Sequence, residues 1–140
     1  MQQRFSNPDV ARKILTGYKS FAVVGCSSDP HRPSYGVALF LRGQGYRVLC
    51  INPNVEECFG DACYPDLKSV EEPIEVVDIF RRPDAVGPHV DEAIEVGAKA
   101  VWMQLGVINE PAAQKALDAG LDVVMDRCPK IDFPRLVGSR

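Results

Sequence analysis

Short apolar segments that favour β-strands alternate along this chain with segments of helical periodicity. This alternation limits the possible folds more than any other feature. Each strand segment is almost continuously apolar, which is typical of parallel strands covered on both faces. The five segments are FAVVG (21–25), RVLCINP (47–53), EVVDIF (75–80), AVWMQLG (100–106) and DVVMDRC (122–128).

Helices are predicted between these strands and before the first of them. The helical segments are residues 7–18, 34–45, a stretch beginning near Pro88, and 110–120. Between the second and third strands we expect a loop with a short strand or turn around Cys58–Tyr64. Strands joined by helices predict an α/β fold with a single Rossmann-like, doubly wound parallel sheet of about five strands and helices on both faces. One domain over residues 1–140 is expected, with an N-terminal helix over about 7–18 and a core over about 20–135.

The predicted order of the five main strands, counted along the chain, is 3-2-1-4-5. In such sheets ligands lie beyond the carboxyl ends of the strands, at the point where the strand order reverses. The loops that follow the strands are therefore where a binding site is expected.

Composition excludes several classes of protein. The net charge of −3 argues against a nucleic-acid-binding protein, which is normally basic. No apolar run approaches the ~18 residues of a membrane span, and the polar N-terminus does not resemble an export signal. Five cysteines without an export signal are typical of reduced thiols in a cytoplasmic protein.

Basic residues are concentrated in the loops that follow the strands. They occur as His31 and Arg32, Arg81 and Arg82, and Arg127 with Lys130, after the first, third and fifth strands. An acidic protein that collects cations at one edge of its sheet is suited to a small anion such as a phosphorylated cofactor.

The loop after the first strand has the composition of a phosphate-binding turn. Gly25 permits close approach of the backbone, while Ser27 and Ser28 supply hydroxyl groups beside the start of the next helix. The alternative is a tight strand-to-helix turn capped by Ser34, which needs no ligand.

The end of the second strand argues against NAD. An NAD site needs an acidic residue near this point to bind the ribose 2′-hydroxyl, whereas this strand ends in Asn52 and Pro53. Asn52 and Pro53 can frame an adenine or ribose by amide and backbone contacts. NADP stays open because Arg32 could bind its 2′-phosphate, and Arg32 could equally bind the 3′-phosphate of coenzyme A.

The cysteines and histidines do not form a recognisable metal motif in the sequence. Cys58 and Cys63 lie close together, but no second pair completes a zinc set nearby, and no metal site is predicted. Cys26 and Cys128 could form a redox pair or act on thioesters if they are close in space. No catalytic residues are assigned, because no nucleophile–base set or paired carboxylates stand out.

Four blocks of sequence, taken in order, resemble a known family. They are VVGCSSDPHRPSYGVALFLRGQGYRVLCINPN, VVDIFRRPDAV, AVWMQLGV and EPAAQKALDAGLDVVMDRCPKID. The chain resembles the small stand-alone coenzyme A-binding domain proteins, which are similar to the N-terminal domain of the succinyl-CoA synthetase α subunit. The resemblance covers about residues 7–135.

The resemblance implies a Rossmann-like domain that binds coenzyme A (CoA) or an acyl-CoA. It implies that the first loop holds phosphates, that Asn52, Pro53 and Arg32 lie at the adenosine-phosphate end, and that the Phe80–Arg82 turn lines the nucleotide or pantetheine path. The expected cofactor-binding residues are Gly25, Cys26, Ser27, Ser28, Arg32, Asn52, Pro53, Phe80, Arg81, Arg82, Gln104 and Gly106. The synthetase's ligase domain has no counterpart among these blocks, so no thioester-forming activity is expected.

Three readings of function therefore stand beside one another. The first is a non-enzymatic CoA- or acyl-CoA-binding protein, which could act as a regulatory module. The second is an NADP- or NAD-binding redox sensor or oxidoreductase, and the third is an enzyme of cysteine-dependent acyl or disulfide chemistry. The sequence leaves open whether the protein forms a homo-oligomer or has a protein partner.

Overall fold

The computed structural model describes residues 4–138 and confirms the predicted α/β fold. Five parallel strands form the main sheet, and two very short strands form a separate antiparallel hairpin. In chain order the strands are β1 (Ser20–Val24), β2 (Arg47–Ile51), β3 (Glu57–Cys58), β4 (Asp61–Ala62), β5 (Val76–Ile79), β6 (Ala100–Gln104) and β7 (Asp122–Arg127). The hairpin β3–β4 lies within the segment where a short strand or turn was expected.

Five α-helices accompany the sheet. They are α1 (Pro8–Gly17), α2 (Pro33–Gly43), α3 (Val86–Glu95), α4 (Glu110–Asp118) and α5 (Pro129–Leu136), and short 3₁₀ turns occupy Leu67–Ser69 and Pro83–Ala85. Proline at the first turn favours the start of four of them, and the Asn7 and Asn109 side chains cap α1 and α4. Helix α5 was not predicted, because Pro134 interrupts its pattern.

The strand order differs from the prediction. The observed order is β2-β1-β5-β6-β7, which is 2-1-3-4-5 among the main strands rather than 3-2-1-4-5. The third main strand, β5, pairs with β1 from Phe21–Val76 to Val24–Ile79. The other side of β2 is closed near its carboxyl end by Tyr64, which bridges Ile51 in parallel. The segment after β2 thus folds back along the free edge of β2. The chain then crosses β1, and β5 pairs with β1 on the side opposite β2.

Helices cover both faces of the sheet, as predicted. One apolar core lies between the sheet and helices α3 and α4, and a second lies between the sheet and helices α1, α2 and α5. Within residues 4–138 no helix has the length and apolar character needed to cross a membrane.

The topology opens a crevice between β1 and β5. The chain leaves β1 through α2 on one face of the sheet and leaves β5 through α3 on the opposite face. The two loops diverge at the carboxyl ends of neighbouring strands, which is where ligands of doubly wound sheets lie.

Candidate ligand site at the carboxyl edge of the sheet

A cavity of about 750 Å³ lies in this crevice. Its volume falls within the usual range of small-molecule sites, about 300–1,000 Å³. Its walls come from the loops after β1, β2, β5 and β6, together with the start of α2. The lining residues are Gly25, Ser27, Arg32, Pro33, Ser34, Asn52, Phe80, Arg81, Arg82, Gln104, Leu105 and Val107.

Eight of the twelve residues expected from sequence lie in this lining. Pro53 instead lines an adjoining cavity of about 160 Å³, which shares Gly25, Asn52 and Arg81 with the larger one and also contacts His89. Half-burial and the positive charge of Arg81 lower the pKa of His89, so this wall favours a neutral imidazole. Three expected residues lie outside both linings: Cys26, Ser28 and Gly106.

Gly25 is required by the packing of the strand ends. It has a φ of +84°, its N–H donates to the carbonyl of Ile51 at 2.9 Å, and a Cβ atom there would overlap the backbone carbonyl of Phe80. The glycine therefore lets the ends of β1 and β5 approach each other at the base of the cavity.

The serines after Gly25 shape the loop from within. The N–H of Ser27 donates to Ser34 Oγ at 3.1 Å, and Ser27 Oγ accepts from the N–H of Asp29 at 3.0 Å. In the ligand-free alternative Ser34 caps α2. In the structure Arg32 occupies the capping position, and Ser34 lies within the first helical turn. Its hydroxyl fastens the loop to the helix instead, because its position in the first turn places it beside the Ser27 amide.

The start of α2 points at the cavity without a capping side chain. Arg32 occupies the capping position and makes no side-chain capping hydrogen bond, while Pro33 follows as the first helical residue. Arg32, Pro33 and Ser34 all line the cavity. The partial positive charge of a helix N-terminus is thus directed into the cavity.

Three arginines line the same space. Arg32 and Arg81 have no ion pair within the described part of the chain, and Arg82 lies 3.4 Å from Asp84, with both side chains about four-fifths exposed. Such an exposed pair contributes little and leaves the guanidinium accessible to an anion. The cavity therefore combines three cationic side chains with the N-terminus of α2.

Arg127 does not belong to this cluster, contrary to expectation. Its guanidinium forms a bidentate ion pair with the buried carboxylate of Asp132, at 2.7 and 2.9 Å, and also donates to the Ser6 carbonyl. Asp132 lies in α5, the helix that the sequence analysis missed. Arg127 is consequently a fold-stabilising residue, and Lys130 does not line the cavity.

Asn52 ties two of the loops together. Its Nδ2 donates to the carbonyl of Cys26 at 2.9 Å, and its Oδ1 accepts from the N–H of Asn54 at 2.9 Å. Both ends of the amide are thus engaged within the protein, and the side chain holds the floor of the cavity between β1 and β2.

Two buried side chains carry polar atoms that lack hydrogen-bond partners within residues 4–138. Gln104 lines the cavity, is 6% exposed and has an unpaired Oε1, while both carboxylate oxygens of Asp78 are unpaired. Asp78 is fully buried in β5, between Val23 of β1 and Trp102 of β6, and burial raises its pKa well above the usual range. Gln104 can therefore offer a hydrogen-bond acceptor to a ligand.

Asp78 was missed by the sequence analysis. A single charged residue within the apolar run EVVDIF was the available signal, because an acid inside a buried parallel strand needs an explanation. Trp102 on the neighbouring strand is fully buried, and its Nε1–H donates to the Arg127 carbonyl at 2.8 Å.

Cys26 and Gly106 are directed to other contacts. The buried Cys26 thiol lies 3.1 Å from the Cys50 thiol. Its close sulfur neighbour is therefore Cys50 and not Cys128. The N–H of Gly106 donates to Asp126 Oδ1 at 2.7 Å, which fixes the loop whose neighbouring residues line the cavity.

The fold and the cavity define a Rossmann-like α/β domain with a ligand crevice at its switch point. The model of the CoA-binding domain family matches residues 19–134, which is most of the chain. The protein therefore belongs to the CoA-binding domain family, as the sequence resemblance predicted.

Individual proteins agree with this assignment. The chain is 35% identical over 127 residues to the uncharacterized protein YneT of Bacillus subtilis, covering 89% of this chain and 94% of that one. A solved hypothetical protein from Pyrococcus horikoshii superimposes with a TM-score of 0.90 at 39% identity, covering 99% of this chain and 100% of the other. An ADP-forming acetate–CoA ligase of Methanocaldococcus jannaschii is 32% identical over 93 residues, which are 66% of this chain and 13% of the ligase.

Proposed function

We propose that the carboxyl-edge cavity binds coenzyme A or an acyl-CoA, and that the protein acts by binding rather than by catalysis. The observation that carries this proposal is the grouping of Arg32, Arg81 and Arg82 around the uncapped N-terminus of α2 in one cavity. CoA carries a diphosphate and a 3′-phosphate, so separate cationic groups in one crevice are what its recognition requires.

Each wall is assigned a part of the ligand. The loop at Gly25 and Ser27, with the start of α2, would hold phosphate, and Arg32 would bind the 3′-phosphate. Asn52 and Pro53 would flank the adenosine, while Phe80 and Gln104 would border the path of the pantetheine arm. The family and the related acetate–CoA ligase support CoA over other phosphorylated ligands.

The geometry favours binding over thiol chemistry at the ligand. The Cys26 thiol is fully buried beneath the loop and is not part of the cavity lining. A nucleophile must reach the reacting carbonyl of its substrate, and no cysteine lines either cavity described above.

The test compares CoA, dephospho-CoA, NADP and NAD by isothermal titration calorimetry and thermal shift. We expect CoA to bind and to raise the melting temperature, because a ligand that binds only the native state stabilises it. NAD at the same concentration should have little effect. Equal shifts with CoA and NAD, a stronger effect of NADP than of CoA, or no shift with any of the four would contradict the proposal.

Arg32→Ala tests the assignment of the 3′-phosphate. We expect it to weaken CoA about tenfold, the effect of losing one charge-assisted hydrogen bond, while dephospho-CoA binding changes much less. The control is Arg135→Ala, an exposed arginine outside the cavity, which should leave both affinities unchanged. Equal losses for both ligands would show that Arg32 does not contact the 3′-phosphate.

A further inference from the structure

Four of the five cysteines gather at one place behind the loop that follows β1. Cys26 comes from that loop, Cys50 from β2, Cys58 from β3, and Cys63 from the residue after β4. Sγ of Cys26 lies 3.1 Å from Sγ of Cys50 and 4.0 Å from Sγ of Cys58, and these three sulfurs lie within 4.8 Å of one another. The hairpin places Cys63 beside this group: its N–H donates to the Glu56 carbonyl at 2.8 Å, and it packs against the core cluster that contains the other three cysteines.

The separations suit a shared metal ion. Thiolates bind Zn²⁺ at about 2.3 Å, so sulfurs at the corners of a tetrahedron lie about 3.8 Å apart. The observed separations lie on both sides of that distance, so small side-chain adjustments would bring the thiols to one ion.

The hairpin β3–β4 supplies two of the thiols in a pattern known from zinc sites. Cys58 and Cys63 have four residues between them, within the spacing of two to four that structural zinc sites use for one half of their ligands. Phe59 and Gly60 take positive φ angles, +55° and +82°, and reverse the chain between the two cysteines. The second half of the set, Cys26 and Cys50, comes from the ends of two adjacent strands.

Contacts with α2 hold the hairpin β3–β4 over the thiol cluster. The Phe59 ring packs 4.8 Å from that of Tyr35 in α2, and the Arg42 guanidinium lies 5.1 Å over Phe59 while pairing with Asp61 at 3.0 Å. These contacts hold the thiol-bearing hairpin against α2.

We propose that Cys26, Cys50, Cys58 and Cys63 bind one thiophilic metal ion, with Zn²⁺ as the preferred ion, at a structural site separate from the cavity. Each thiol loses its proton to solvent on binding, and the ion forms one bond to each sulfur. A divalent cation offsets the repulsion among the thiolates.

The site would support the cavity without belonging to it. Cys26 follows Gly25 directly, and its carbonyl accepts from the Asn52 side chain that forms part of the cavity floor. A bound ion would connect the loop after β1, the end of β2 and the hairpin.

The test titrates the reduced, chelator-treated full chain with Co²⁺ under anaerobic conditions and then adds Zn²⁺. We expect one Co²⁺ per chain, with a thiolate-to-cobalt charge-transfer band and the intense visible bands of tetrahedral cobalt, and their loss when Zn²⁺ displaces the cobalt. Zn²⁺ should also raise the melting temperature. No CoA is present, so this result is independent of the proposed function.

Matched variants locate the site. The bands should disappear in the double variant Cys58→Ser/Cys63→Ser and persist in Cys128→Ser, which changes the one cysteine outside the cluster. Absence of the charge-transfer band in the wild-type chain overturns the proposal even if a variant fails to fold. Bands that survive the double variant overturn it as well, and so does a reduced protein that binds no Co²⁺ but forms a Cys26–Cys50 disulfide in air.

Discussion

The carboxyl ends of β5 and β7 carry similar residues and use them differently. After β5, Arg81 lines the cavity and has no ion pair within the described residues, whereas Arg127 at the end of β7 is locked to Asp132. The difference comes from the next element. Helix α5 places a buried acid against Arg127, whereas α3, the helix that follows Arg81, forms no ion pair with it within residues 4–138. A cation at a strand end is thus available to a ligand only where no acid of the following helix forms an ion pair with it.

The largest expected effect separates these two arginines. Arg127→Met should lower the free energy of unfolding by about 3 kcal/mol, because it leaves the buried Asp132 carboxylate without its partner. Arg81→Met should change it by less than about 0.5 kcal/mol, as is usual for a surface substitution. Urea unfolding at pH 7 measures both. Equal losses in the two variants would remove the distinction between the two strand ends.

A smaller effect is expected at Gly25, which belongs to the cavity and to the fold at once. Gly25→Ala should destabilise the protein by about 2 kcal/mol, because it combines a positive φ with a clash against the Phe80 backbone. The control is Gly120→Ala, which has a similar φ of +92° but open space around the added methyl group, and which should cost about 1 kcal/mol. Thermal and urea unfolding would compare them, and equal costs would mean that the close approach of β1 and β5 carries no constraint.

The smallest effect depends on pH and concerns Asp78. Because burial raises its pKa in the folded state, Asp78 adds most to stability below its unfolded pKa, and that contribution is lost as the pH rises towards the folded value. The wild-type free energy of unfolding should therefore fall by up to about 1.4 kcal/mol per pH unit relative to Asp78→Asn. Unfolding of both proteins between pH 5 and 6 measures this, with the exposed Asp118→Asn as control. Parallel pH profiles for wild type and Asp78→Asn would show that the carboxyl group ionises freely in the folded protein.

The sequence predicted the elements better than their arrangement. Apolar runs located all five main strands to within two residues, because burial on both faces leaves a clear pattern. Strand order was wrong because β5 buries the same residues whether it pairs with β1 or β2, so periodicity does not distinguish the two. In the structure Tyr64 bridges Ile51 at the free edge of β2, a contact that no pattern reveals.

The candidate site shows the same difference between positions that the sequence predicts and contacts that it does not. Residues in loops directly after strands, such as Gly25 and Arg81, were placed at one edge by topology alone. The use of each group depends on partners distant in sequence, as with Asn52 and the Cys26 carbonyl. The thiol cluster escaped notice because its members come from four segments, and only folding brings Cys26 and Cys50 to the hairpin.

Trp102 provides the protein with an internal optical probe. It is the one tryptophan of the chain, lies fully buried in β6, and donates its indole N–H to the Arg127 carbonyl. Its fluorescence should therefore be that of a shielded indole in the native state and shift to longer wavelength when the chain unfolds. Gln104, two residues further on, faces the cavity, so a ligand can bind there while the indole stays shielded. The emission maximum would then report unfolding alone, which allows binding and stability to be measured separately in one sample.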